Sequence, residues 1–160
     1  MKATKQSLEH WLQVRENIKR GSPVDRSKPL HELKKERDEL ESDPQKWKEF
    51  FFPHNHKYPT PDFHKKATLR LIKNFLKLKH CYEVRHWVRN LAKTTLTMEE
   101  VLYLVLTGKL RNILYISSTY DAAETFLERY RAELDSTDRI KFYYGEQEMR
   151  GSWEMGNFTT

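Results

Sequence analysis

One cysteine, Cys81, in 160 residues excludes an internal disulfide and fits a reducing compartment. Long apolar runs are missing too. No window approaches the ~18 apolar residues of a membrane span, and the opening MKATKQSLEHW lacks the apolar core of a signal peptide. The chain is therefore expected in the cytoplasm, with no membrane partner. Metal-ligand spacing is scarce as well. The string His54-Asn55-His56 is consecutive, whereas a nuclease metal site distributes its ligands over two strands and a helix, and His64, His80 and His86 do not show the paired spacing of zinc ligands.

What is abundant is charge, at 32% of residues against 38% apolar, enough apolar content for one modest core. Residues 1–80 hold 19 Lys+Arg against 11 Asp+Glu, a net of +8, and residues 81–160 hold 10 against 12, a net of −2. A basic first half can meet DNA, RNA or an acidic protein surface.

Three segments follow from the pattern. Residues 1–49 read as a basic, charged helical arm, with Leu8, Trp11, Leu12 and Arg15 near one face of a helix ending at Gly21, and Leu30, Leu33, Arg37 and Leu40 on a narrow seam of a second. Residues 50–80 read as a Pro-rich aromatic connector followed by an amphipathic lead-in helix over 62–80, N-capped by Asp62. Phe63, Ala67, Leu71, Phe75 and Leu78 share one face of that helix, and Lys66, Arg70, Lys73 and Lys77 another. From residue 81 the texture is α/β. YEVRHWV reads as a strand, TTLTMEEVLYLVLTG as a buried helix ending near Gly108, RNILYISST as a central parallel strand, and YDAAETFLERYRAEL as a helix with capping-box spacing at 118–121. The stretch from Asp138 reads as extended, then a polar turn, then a strand starting near Asn157. Strand, turn, helix, strand, helix predicts the beginning of a parallel α/β sheet.

At the first strand-to-helix turn stands HWVRNLAKTT, residues 86–95. A phosphate-binding loop aims successive backbone N–H groups and a helix N-terminus at the phosphates, bridges them with a lysine, and holds magnesium through a following hydroxyl. Lys93, Thr94 and the helix start supply these parts. The usual glycines, one and six residues before the lysine, are replaced by Ala92 and Trp87. A lysine at a helix N-terminus opposes the helix dipole unless an anion sits between them, which favours a nucleotide at this turn.

VRNLAKTT, LYLVLTGKLRNILYISSTYDAAETFL and YYGEQEMRGSWEMGNFTT together resemble the N-terminal part of the bacteriophage terminase large subunit, the ATPase that drives DNA packaging. The resemblance covers about residues 50–160 and is most specific over 85–120. It implies an ASCE-type P-loop NTPase fold, α/β with a parallel sheet, preceded by the helical arm and incomplete as a domain, with residues 81–160 as the first part of the ATPase core. Its deviant loop, in which Gly or Ala precedes the lysine, matches Arg89, Asn90, Leu91, Ala92, Lys93 and Thr94 in order, with Thr95 following. The resemblance implies ATP and Mg2+ as cofactors: Lys93 on the β/γ-phosphates, Thr94 on the metal, Arg89 on the γ-phosphate, and His64 on the adenine side, where the family often has a glutamine. It also implies double-stranded DNA, a small terminase subunit and a portal protein as partners, in the cytoplasm of an infected or lysogenic bacterial host. No apolar strand here ends in the paired acids that such motors use to position metal and water, and the family's nuclease domain is missing. The chain is expected to bind nucleotide without turning it over, as the front part of a motor. The alternatives are a non-enzymatic module that binds DNA or a phage protein, and a fragment of a helicase-like ATPase.

Overall fold

The computed structural model describes residues 5–78, 80–148, 153–154 and 157–158. Seven helices are formed among the described residues: α1 (Lys5–Gly21), α2 (Leu30–Ser42), α3 (Pro44–Phe51), α4 (Asp62–Lys77), α5 (Lys93–Leu106), α6 (Tyr120–Ser136) and α7 (Asp138–Tyr144). Among the described residues the only β pairing is antiparallel, between two-residue strands β1 (Trp153–Glu154) and β2 (Asn157–Phe158). Residues 149–152 of the expected polar turn lie outside the described residues.

The parallel α/β sheet of a P-loop NTPase is therefore not what this chain forms: the regular elements among the described residues are helices apart from β1 and β2, the strands expected over 82–88 and 111–119 have no ladder partner, and the strand expected near Asn157 is β2, paired antiparallel. Residues 81–88 form no regular element, although their exposure alternates, with Cys81, Glu83, Arg85 and Trp87 half-buried and Tyr82, Val84, His86 and Val88 exposed. Residues 110–117 likewise form no regular element, and where a central strand needs both faces covered, Leu114 and Ile116 are 84% and 81% exposed. The third expected extended piece, from Asp138, is helix α7 instead.

The chain divides into two compact units, one of residues 1–37 with 112–160 and one of residues 38–111. In the first, α1 packs on α6 and α6 on α7, around Ile18, Tyr130, Leu134 and Ile140. Arg15 on α1 faces Asp135 on α6 at 3.6 Å, and Arg139 Nε donates to the Pro23 carbonyl at 3.1 Å. The buried face of α1 runs through Ile18, while Leu8 and Leu12 of the expected face are exposed. Thr119, one residue after the serine of the capping-box pattern, accepts from Ala122 N at 3.2 Å and starts α6.

In the second unit α3, α4 and α5 pack pairwise. Asp43 accepts from the backbone N–H groups of Gln45 and Lys46, and Pro44 occupies the first helical turn, so the Asp-Pro pair opens α3. That helix drives Trp47, Phe51 and Phe52 into the core. The Trp47 ring meets Phe51, Phe52 and Tyr103 at centroid distances of 4.8, 5.7 and 5.2 Å. The buried face of α4 is His64, Ala67, Thr68 and Ile72, rotated from the expected one, so that Phe63 and Leu78 are exposed and Asp62 lies inside the first turn. Helix α5 closes at Gly108, whose φ of 70° places it in the left-handed region, where glycine carries no Cβ penalty. No helix among the described residues is long and apolar enough to cross a membrane.

Candidate functional site

The turn before α5 is built from a half-buried tryptophan, two left-handed residues and a lysine that folds back on them. Asn90 and Ala92 have φ of 66° and 49°. Asparagine tolerates that region, whereas it costs an alanine about 1–2 kcal/mol, which is the physical reason the loop pattern carries glycine at position 92. Left-handed residues interleaved with ordinary ones curl a loop so that its N–H groups converge on an anion.

Helix α5 begins at Lys93 without a side-chain cap from Ala92, and its first turn holds no acidic residue. A 14-residue helix with a lysine in place of a capping acid presents uncompensated N–H groups and partial positive charge. The Lys93 ammonium, half-buried, donates to the Trp87 carbonyl at 2.6 Å. The lysine thus spans the loop and meets the residue six before it, at the first glycine position of the usual pattern. Thr94 is exposed and Thr95 half-buried at the same helix start. Arg89 is exposed at the loop tip, in a turn with Asn90.

His64, in the first turn of α4, is brought to the same loop from below. It is buried, and its Nε2 lies 3.0 Å from the Leu91 carbonyl. Its ring stacks on Trp87 with centroids 5.1 Å apart and planes at 22°. Phe63 meets Trp87 edge-on at 5.3 Å, and the Arg85 guanidinium lies 5.5 Å from the Trp87 ring centre. The structure thus gathers His64, Leu91, Ala92, Lys93 and Trp87, and leaves Arg89 and Thr94 at the surface beside them.

Beneath the loop lies a cluster of buried charge that sequence reasoning missed. Glu99 and Glu100 on α5 are 1% and 0% exposed, and Lys48 on α3 is 0% exposed. Lys48 Nζ donates to Thr68 Oγ1 at 2.8 Å, and Thr68 Oγ1 donates to Glu100 Oε1 at 2.7 Å. Arg85 Nη1 lies 2.8 Å from Glu100 Oε2, a charge contact whose N–H is not aligned as a hydrogen bond, and Arg85 Nε donates to Glu83 at 2.6 Å. Glu99 receives Asn55 Nδ2 at 3.1 Å and faces His56 Nε2 at 3.1 Å. Burial holds the Lys48 ammonium below the ordinary lysine value, while Glu99 and Glu100 pull it upward. Burial also works to lower the Arg85 guanidinium, and Glu100 and Glu83 more than offset it, so this residue stays charged.

The donor set of the loop fits a phosphate chain: an ammonium, uncapped helix N–H groups and no acid in the first turn. For magnesium the loop offers the Thr94 hydroxyl. The acids next along α5, Glu99 and Glu100, are buried and committed to their own partners, and among the described residues no group of three or more His, Cys, Asp or Glu converges as a metal site. No protein-family profile, curated protein or solved structure matches the chain.

Proposed function

We propose that residues 87–95 bind the phosphates of a nucleoside triphosphate, and that the chain serves an ATP-driven DNA-packaging motor of the terminase large-subunit kind. The observation that carries the reading is the Lys93 ammonium, folded 2.6 Å onto the Trp87 carbonyl across a left-handed loop at an uncapped helix start. The site rests on that loop and α5 alone. A phosphate oxygen is a stronger acceptor for an ammonium than a peptide carbonyl, so the lysine exchanges one for the other as the ligand enters. The N–H groups at the start of α5 would take further phosphate oxygens, and the exposed Thr94 hydroxyl would hold a magnesium ion bound with the nucleotide. Magnesium supplies charge neutralisation between phosphate oxygens when bound. Arg89, exposed at the loop tip, is assigned to the γ-phosphate.

Hydrolysis by this chain is not part of the proposal, because the acids nearest in sequence on α5 are consumed by the buried cluster. Binding should follow the phosphates and not the base. Calorimetry is expected to give ATP and inorganic tripolyphosphate affinities within about tenfold of each other and adenosine at least about a hundredfold weaker, since charged contacts are worth roughly 1.5–3 kcal/mol each. Adenosine binding as tightly as ATP would reject a phosphate loop.

The partners proposed with this function are double-stranded DNA, a small terminase subunit and a portal protein. Lys66, Arg70, Lys73 and Lys77, all exposed along α4, support the first. If four phosphates are neutralised there, duplex affinity should fall with salt at a log–log slope of about −3.6, which a titration between 50 and 200 mM salt resolves. A slope near zero would leave these four cations as a solvated face.

A further inference from the structure

We propose that His64 is the positioning residue of the phosphate loop, a single ring that holds the loop at both ends. The inference rests on the phosphate-loop reading of residues 87–95, and its geometric part stands apart from any ligand. At the exit, a carbonyl can only accept, so the contact of 3.0 Å fixes a hydrogen on His64 Nε2 that is donated to Leu91. Both the imidazolium and the neutral tautomer protonated at Nε2 make this bond. A trans peptide is planar, with its C=O and N–H pointing opposite ways. Tying the Leu91 carbonyl down onto α4 therefore turns the Ala92 N–H away from α4, outward from the brace.

At the entrance, the same ring lies against Trp87 at 5.1 Å and 22°, with Phe63 at the tryptophan edge and Arg85 over its ring. Arg85 is in turn held by Glu83 and Glu100, so the tryptophan is gripped by fixed groups. The Trp87 carbonyl is the acceptor that Lys93 gives up when phosphate arrives. With the lysine gone, the histidine stack still places Trp87, and the loop keeps its curvature. Anion binding then meets a loop already shaped for it, and the ordering cost is not charged against affinity. His64 touches no phosphate in this account and acts through the backbone it holds.

The test uses the full chain with His64→Ala and His64→Gln, inorganic tripolyphosphate as the probe, and backbone amide hydrogen exchange over residues 88–95 without ligand. His64→Ala is expected to speed exchange in the loop and weaken tripolyphosphate binding, each by about tenfold, the worth of one buried hydrogen bond. The amides of Leu102, Tyr103 and Leu104 should stay protected, reporting that α5 and its packing persist. His64→Gln, which keeps a side-chain N–H donor and loses the ring, should recover part of both effects. A purely structural histidine would lower stability without this selective loss and partial rescue. Unchanged loop exchange in both variants overturns the proposal whether or not the chain binds phosphate. If the wild type fails to bind tripolyphosphate, the phosphate reading falls, and the exchange result alone then decides whether His64 shapes the loop. If His64→Ala fails to fold, His64→Gln with loop exchange and affinity both at wild-type values overturns the ring's part in the brace.

Discussion

Replacing Glu100 with alanine is expected to destabilise the unit of residues 38–111 by about 3–5 kcal/mol, a large share of the ~5–15 kcal/mol that holds a typical domain folded. The carboxylate is fully buried, accepts from Thr68 at 2.7 Å and stands 2.8 Å from Arg85, whose side chain is itself mostly buried. Truncation leaves the Arg85 guanidinium without its α5 partner and the Lys48 ammonium with one fewer neutralising charge, both away from water. The penalty comes from these abandoned charges more than from the lost attraction. Glu100→Gln keeps an acceptor for the Thr68 hydroxyl and gives up only charge, so its cost should be smaller. Urea unfolding of the three proteins checks the order: the midpoint should fall most for alanine, less for glutamine, with the slope unchanged in a two-state transition. A Glu100→Ala midpoint equal to wild type would mean that the cluster is not a folding determinant.

The same cluster shows where sequence reasoning reaches its limit. TTLTMEEVLYLVLTG reads as a buried helix ending near Gly108, and α5 is observed over Lys93–Leu106. Nothing local announces that both acids are buried, because their partners Asn55, His56, Thr68 and Arg85 arrive from three other stretches of chain. Helices α1, α4, α5 and α6 are long enough for their apolar period to be read. The face is less secure: on α4 a histidine and a threonine replace Phe63 and Leu71 as wholly buried residues, since what α4 packs against includes the loop carbonyl of Leu91 and the buried Lys48.

Short helices were the least legible elements. Asp43-Pro44 resembles a helix stop when read forward from α2, yet the same pair is an N-cap and first-turn proline when read into α3. Helix α7 is only seven residues, and its Ile140, Phe142, Tyr143 and Tyr144 are strand-favouring types overridden by the N-terminal Thr-Asp start and packing on α6. The strands expected over 82–88 and 111–119 are not formed: neither stretch is a regular element or has a ladder partner. A ladder is a property of two segments, and the alternation visible in one says nothing of whether a second lies alongside. The helix start beside Ala92 and Lys93 is a local signal, whereas the left-handed backbone at Asn90 and Ala92 is seen only in the fold.

Removing the Lys93 side chain should have the largest effect on binding. Its ammonium is the only cation the first turn of α5 contains, and it already bridges the loop to the Trp87 carbonyl. A charge-assisted contact of this kind contributes about 1.5–3 kcal/mol, so Lys93→Ala is expected to weaken ATP binding by about 10- to 150-fold. Stability should change little, since the lysine is only half-buried and its charge opposes the helix dipole in the free protein. Lys93→Arg keeps the charge but not the compact ammonium that fits inside the loop, and should fall between the two.

If the turn from Trp87 to Thr95 is a phosphate site governed by Lys93, ATP binding depends on that ammonium. Calorimetric titration of ATP into the 160-residue chain and into Lys93→Ala at equal salt measures that dependence. Measurable binding by the wild type with at least about tenfold loss in the variant is the predicted result. Equal affinities, or no binding by a wild type shown to be folded, would contradict it.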